Sequence, residues 1–272
     1  MSTVAVTGCS GYIGRKVCEL LESDDAVSRV IGIDVNDPGF STRNLEFYRL
    51  DVRSPDLSAV LDGCDEIIHL AARGGHDARD VIAGGMRSLV RAAAQVKATK
   101  IVFTSSALVY GGAAGALTED SAVRPAPGYA AACVEAEETA RAYAFETGDA
   151  VVTILRLSAV SGPNLPAAPI VRTGPGLGSA LHEDDAARAV RHALQNTLPG
   201  TFNVPGERFE ATGFAAEHTS AEAIRLGAEA NRGWVMVGGM RFRPAWVAAA
   251  AGSVAALAIG SAARAVSRRA KS

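Results

Sequence analysis

The sequence predicts an α/β fold, a doubly wound parallel sheet with a small, mostly helical part attached at the C-terminal side. Three observations predict it. Runs rich in β-branched residues alternate with helix-length segments, the first strand-to-helix turn carries three glycines, and 272 residues suit one large α/β domain with an appendage. Strands separated by helices require crossover connections, and right-handed crossovers make the sheet parallel.

In chain order, strands are expected at residues 3–7, 30–33, 47–50, 66–70, 100–105 and 151–157, where β-formers dominate. Helices are expected at 12–22, 80–96 and 129–146, where apolar residues recur at spacings of three and four. A later helix after Asp184 and a strand at 201–204 join the same domain. The large domain then comprises residues 1–161 and 179–205. The Pro/Gly-rich loop 162–178 and residues 206–272 form a smaller, substrate-binding or lid region. Residues 244–263 lack charge but are mostly Ala, so a buried or lid-forming helix is expected there rather than a membrane anchor.

Composition narrows the function classes. A net charge of −2 and 21% charged residues provide no basic surface for nucleic acid. Cys9, Cys18, Cys64 and Cys133 show neither CxxC nor Cys/His ligand spacing, so no metal site is expected and a reducing compartment is. Met1 leads straight into a strand pattern without a signal-like apolar stretch, and the expected location is the cytoplasm.

The segment Thr7-Gly8-Cys9-Ser10-Gly11-Tyr12-Ile13-Gly14 sits at the turn from first strand to first helix. Glycine permits the tight turn, its missing Cβ lets the main chain approach a diphosphate, and the last glycine lets the helix pack on the sheet. The helix N-terminus presents unpaired N–H groups to the anion. Gly8, Ser10, Gly11, Tyr12, Ile13 and Gly14 are therefore the candidate diphosphate site of a Rossmann-type domain. Asp34 closes the second strand, placed to accept hydrogen bonds from the adenosine ribose, which favours NADH over NADPH. Arg15 or Arg43 could offset its charge against a 2'-phosphate, so NADPH stays open.

These glycines with Asp34, Asp51-Val52-Arg53, His69-Leu70-Ala71-Ala72, the run from Thr104 to Gly111, Tyr129, and Leu155-Arg156-Leu157 resemble the extended short-chain dehydrogenase/reductase family. That family includes NAD-dependent sugar epimerases and dehydratases. The resemblance implies that Asp51 and Val52 contact adenine, that Ala71 and Ala72 run along the cofactor, and that Leu157 flanks the nicotinamide. It also implies Ser106 and Tyr129 as catalytic residues and a possible homodimer through the helices after Asp80 and Tyr129. His69 and His182 read as structural or capping residues.

Two departures from the family pattern matter. Lysine is expected four residues after the tyrosine, but Cys133 stands there, and Ile82 falls where an asparagine is usual. Without the ammonium a tyrosine keeps its ordinary pKa of about 10 and stays protonated, serving better as an acid than as a base. The expectation is an atypical ketoreductase: one-way NAD(P)H-dependent reduction, with the proton coming from Tyr129, Ser106, water or the substrate. Phe209, Phe214, Trp234, Met236, Met240, Phe242 and Trp246 suggest either core filling or a lid over a bulky hydrophobic ketone, such as an aromatic polyketide of antibiotic biosynthesis. The alternatives are a sugar-nucleotide epimerase or dehydratase and a non-catalytic NAD(P)-binding regulator.

Overall fold

The structure is a computed structural model, and it describes residues 1–111, 117–163, 180–230, 232, 235–237 and 240–242. Strand β1 (Ser2–Thr7) turns Val4 and Val6 to one face and Ala5 to the other, all fully buried, as the two-residue period of a strand requires. Helix α1 (Tyr12–Glu22) follows the glycine turn and buries Gly14, Val17, Cys18 and Leu21, the i, i+3, i+4, i+7 stripe of one helix face.

The chain continues through β2 (Val27–Asp34), β3 (Leu45–Arg49), the short α2 (Leu57–Val60) and β4 (Glu66–His69). A π turn over Asp80–Gly84 opens α3 (Gly85–Val96), and β5 (Lys100–Ser106) runs into a 3-10 turn over Ala107–Tyr110. Next come α4 (Tyr129–Thr147), β6 (Val151–Leu157), β7 (Ala159–Ser161), β8 (Ala180–His182), α5 (Glu183–Asn196) and β9 (Gly200–Val204). The last described elements are α6 (Glu207–Glu210), α7 (Ser220–Ala230), β10 (Val235–Val237) and β11 (Met240–Phe242).

Seven strands form one parallel sheet in the order β3-β2-β1-β4-β5-β6-β9. Strand order reverses between β1 and β4, and at such a switch point the connecting loops diverge and leave a crevice at the carboxyl ends. Two cores flank the sheet. One joins α2, α3 and α4 to Ala5, Ile31, Ile67 and Ile101, while the other joins α1, α5 and α6 to Val4, Val6, Ile68 and Leu155.

The expected strands and helices are all present, with shifted ends. β2 starts three residues early, because Val27 also pairs with β1, and α4 runs one residue further, to Thr147, before Gly148 at φ +69 ends it. The small parallel pair β7–β8, with α7 packed against it, was not anticipated: three-residue strands show too little alternation to register. Phe209 and Phe214 settle the choice between core and lid for themselves. Both are buried, edge-on or tilted against Phe202, His192 and each other, within the second core. Trp234 and Trp246, most of the 162–178 loop and the 244–263 stretch lie outside the described residues. Among the described residues no helix is long and apolar enough to cross a membrane.

Candidate cofactor cleft and active site

A cleft of about 480 Å³ opens at the β1/β4 switch point. Its wall includes Gly8, Ser10, Gly11, Asp34, Asp51, Val52, Ala71 and Ala72, eight of the expected cofactor contacts. Sequence distance is no obstacle to this, because β1, β2 and β4 are adjacent and each ends at the same edge.

The glycines are dictated by crowding. Gly8 has φ +76, and a Cβ there would come within 2.7 Å of the Ala71 backbone nitrogen. A Cβ on Gly14 would overlap the Gly8 carbonyl oxygen and come within 2.8 Å of Cys9 Cα. Removing both side chains lets α1 start directly under the turn, where a helix N-terminus can offer unpaired N–H groups to an anion. This is a cradle that side chains would fill, and it fits a dinucleotide diphosphate. Tyr12, Ile13 and Gly14 do not form the wall: Tyr12 is exposed at the first turn of α1, Ile13 packs on the second core and Gly14 is buried beneath.

Asp34 is held rigidly. One carboxylate oxygen accepts the Ser10 N–H at 3.1 Å and the other the Asn36 N–H at 2.9 Å, while the Ser10 hydroxyl donates to the Asn36 carbonyl at 2.7 Å. Each oxygen retains a lone pair for a ribose hydroxyl. Asp51 is bound bidentately by Arg53, with Nε at 2.9 Å and Nη2 at 2.6 Å, and that hydrogen bonding holds its carboxyl below the ordinary range. Arg15 and Arg43, the two cations expected near Asp34, pair instead with Glu19 at 2.9 Å and Glu22 at 3.3 Å. Thr7, Ile33, Val35, Asn36, Leu50 and Val81 also line the cleft, as do Arg53 and Arg73. Most adjoin residues already singled out, so strand-end position was the signal that could have found them.

At the carboxyl ends of β5 and β6, Ser106 and Leu157 are register partners. Leu157 is buried in the second core rather than on the cleft wall. Ser106 caps the 3-10 turn, its Oγ accepting the Leu108 N–H at 3.2 Å. Tyr129 is the first residue of α4, partly buried against the first core, with Cys133 one helical turn further along the same helix. Burial pushes the phenol above its ordinary value, and the neighbouring Cys133 pushes it the same way. Burial also drives the Cys133 thiol up to about 12. No cation among the described residues contributes to either shift. Ile82 is buried within the π turn and offers no polar group.

Further along α4, Glu137 is fully buried. Burial alone would raise its carboxyl, but two bonds from Arg156 (3.0 and 2.7 Å) and the Ser105 hydroxyl hold it below the ordinary value. His69 takes the structural role expected, its Nδ1 2.6 Å from Thr7 Oγ1. His182 caps α5 by accepting the Asp184 N–H at 3.2 Å. His182, Asp184 and His218 bring potential ligand atoms within 4.8 Å of one another. The two rings stack at 3.9 Å, however, so their lone pairs run side by side rather than converging on an ion, and His218 Nδ1 is bonded to Asp185.

The family model described as NAD dependent epimerase/dehydratase matches residues 4–205. The chain belongs to this family. Among its relatives, uncharacterized protein Rv0501 of Mycobacterium tuberculosis is 29% identical over 230 residues, covering 74% of this chain and 61% of that protein. The uncharacterized UDP-glucose epimerase YtcB of Bacillus subtilis is 30% identical, over 59% of this chain and 57% of its own length. This member of the epimerase/dehydratase family thus spans about 60% of the length of these relatives.

A UDP-glucuronic acid 4-epimerase mutant from Bacillus cereus, solved with a fluorinated UDP-glucuronic acid and NAD, superposes with TM-score 0.72. It is 19% identical and covers 85% of this chain and 99% of its own. A UDP-galactose 4-epimerase gives TM-score 0.69 at 21% identity, over 85% and 98% of the two chains. At these identities the likeness is one of fold, the Rossmann-type parallel sheet described above.

Proposed function

We propose that the protein binds NAD(H) in preference to NADP(H) in the β1/β4 cleft and reduces a carbonyl to an alcohol on a sugar nucleotide. The observation that carries the cofactor half is Asp34, fixed by Ser10 and Asn36 at the far end of the glycine turn. A 2'-phosphate would meet the charge of this carboxylate, and Arg53, the cation nearest in sequence to Asp51, is held bidentately on it. The substrate class is supported by the UDP-glucose epimerase of Bacillus subtilis among the relatives and by the UDP-sugar complexes among the similar folds. Phe209 and Phe214, two of the residues that pointed to a bulky hydrophobic ketone, are committed to the core, which removes part of the support for that substrate.

When bound, the reduced dinucleotide supplies the hydride. The chain's own part is to hold the acceptor and deliver a proton. Tyr129, with a thiol rather than an ammonium as its neighbour, retains its phenolic proton and can donate it to a carbonyl oxygen as negative charge develops there. Ser106 accepts an N–H on one lone pair and keeps its own O–H free to donate. Taking a proton from an alcohol, the first step of an epimerisation or dehydration cycle, is what this phenol does poorly. The protonated phenol is the form that the reductive step uses.

The test is a titration with NADH and NADPH followed by NADH oxidation over keto-sugar nucleotides and aromatic polyketide ketones. We expect NADH to bind at least about tenfold tighter, a difference of about 1.4 kcal/mol. Turnover should occur on the sugar nucleotides, and Tyr129→Phe should lower kcat by roughly 10² to 10⁴. Turnover on polyketide ketones alone would replace the substrate class. Tight NADH binding with no turnover on either would make the protein a cofactor-binding regulator.

A further inference from the structure

The glycine turn offers backbone N–H groups to a diphosphate, yet no side-chain cation has been assigned to that anion. Of the cleft-lining residues, Arg53 and Arg73 are cationic. Arg53 is committed, with Nε and Nη2 both on the Asp51 carboxylate. Arg73 differs in place and in tethering.

It lies just beyond the carboxyl end of β4, two residues after Ala71, whose backbone is so near Gly8 that a Cβ there would approach it within 2.7 Å. Arg73 thus lines the same cleft as the turn that cradles the diphosphate. Its side chain is 65% exposed and pairs with Asp77 at 3.3 Å, four residues along a non-helical segment. Between them, a Cβ on Gly74 would touch nothing within 4 Å, one on Gly75 would meet only the Asp77 side chain, and Gly75 sits at φ +107. The segment is therefore weakly packed around an exposed ion pair, which contributes little to stability.

We propose that Arg73 is the side-chain ligand of the dinucleotide diphosphate, and that it exchanges Asp77 for phosphate oxygens when the dinucleotide enters. This rests on the cofactor reading above. A planar guanidinium can bond two phosphate oxygens at once, a stronger and more directional pairing than an exposed carboxylate provides. It places a positive charge on the cofactor in a protein whose family lysine is replaced by Cys133. Asp77 acts as a place-holder that competes with the anion.

The test measures binding without turnover: NADH by fluorescence, with ADP-ribose, adenosine and UDP by displacement or calorimetry. Arg73→Gln should weaken NADH and ADP-ribose about tenfold, the loss of one charge-assisted pairing, and leave adenosine unchanged. Raising the salt concentration should shrink that difference. Asp77→Asn should tighten NADH by about twofold to threefold by removing the competitor. Equal weakening of adenosine, unchanged NADH binding, or a loss confined to UDP would each overturn the assignment. Were Arg73→Gln to fail to fold, the absence of tightening in Asp77→Asn would overturn it instead. A wild-type protein that binds no NADH refutes the cofactor reading itself, whereas normal NADH binding in Arg73→Gln refutes only this inference.

Discussion

Cys133 stands one helical turn beyond Tyr129, buried, with its thiol driven up to about 12 by desolvation. It is neutral at every physiological pH and lends the phenol no positive charge. An ammonium at this position would favour the phenolate, since an opposite charge within a few ångström lowers an acid's pKa by about 1 to 3. Glu137, a further turn along, already supplies a carboxylate in the same buried row. Cys133→Lys should therefore convert the site from donor to base. The expected outcome is a rise of about tenfold or more in alcohol oxidation with NAD at pH 7 to 8, since each step of pKa is worth a factor of ten in phenolate. The measurement is NAD reduction against pH, with Cys133→Ala as the size control. If the basic limb of the Cys133→Lys profile does not move to lower pH, Tyr129 is not the proton-transfer group.

Helix α4 is locked to the sheet by a buried ion pair that continues as a polar chain. Arg156 on β6 binds Glu137 through Nε and Nη2 and donates to Tyr110 Oη at 2.7 Å, and Tyr110 in turn donates to Asn203 on β9 at 2.7 Å. Removing Arg156 leaves the buried Glu137 carboxylate only the Ser105 hydroxyl and the half-exposed Arg141 as partners. Arg156→Leu should cost about 3 to 5 kcal/mol in urea unfolding, and adding Glu137→Leu should recover much of it. Because Glu137 is held below its ordinary value, its contribution is present above the usual carboxylate range and is lost as pH falls through its folded pKa, so the Arg156→Leu penalty should shrink in acid. If the double variant is no more stable than the single one, the pair is not what fixes α4. This chain shows where sequence reasoning reaches its limit. Gly8, Gly14 and Asp34 were legible because the turn and strand end that need them are local in sequence. The pairing of Ser105 with Glu137, the place of Arg73 on the cleft wall and the pairing of Arg15 and Arg43 with Glu19 and Glu22 were not, since each depends on a neighbour in space or on a choice among surface partners. Phe209 and Phe214 look alike in sequence whether they form a lid or a core, and only packing separates the two.

The seam between β1 and β4 is at once the centre of the sheet and the floor of the cleft, and His69 lies in it. Its ring is fully buried, in register with Thr7 and 5.6 Å from the Phe103 ring. Burial lowers its pKa from 6.5 to about 4, since a charged imidazolium there would lose its hydration. The folded value lies below the unfolded one, so between them the unfolded chain binds more protons and stability rises with pH. The group leaves stability undiminished above about 6.5, and stability falls as pH drops towards about 4, where the loss amounts to about 3 kcal/mol. Urea unfolding at steps between pH 7.5 and pH 4.5 should show this slope in the wild type. His69→Gln, which cannot be protonated, should be less stable at pH 7.5 through lost packing but flatter with pH. Because the same seam shapes the cleft, NADH at about 100 times its Kd should add about 2.7 kcal/mol to both proteins if the variant's cleft is intact. A His69→Gln variant that keeps the full wild-type slope would assign the acid sensitivity to other groups. One that loses both the slope and the NADH stabilisation would show that His69 holds the β1/β4 crevice in shape as well as filling it.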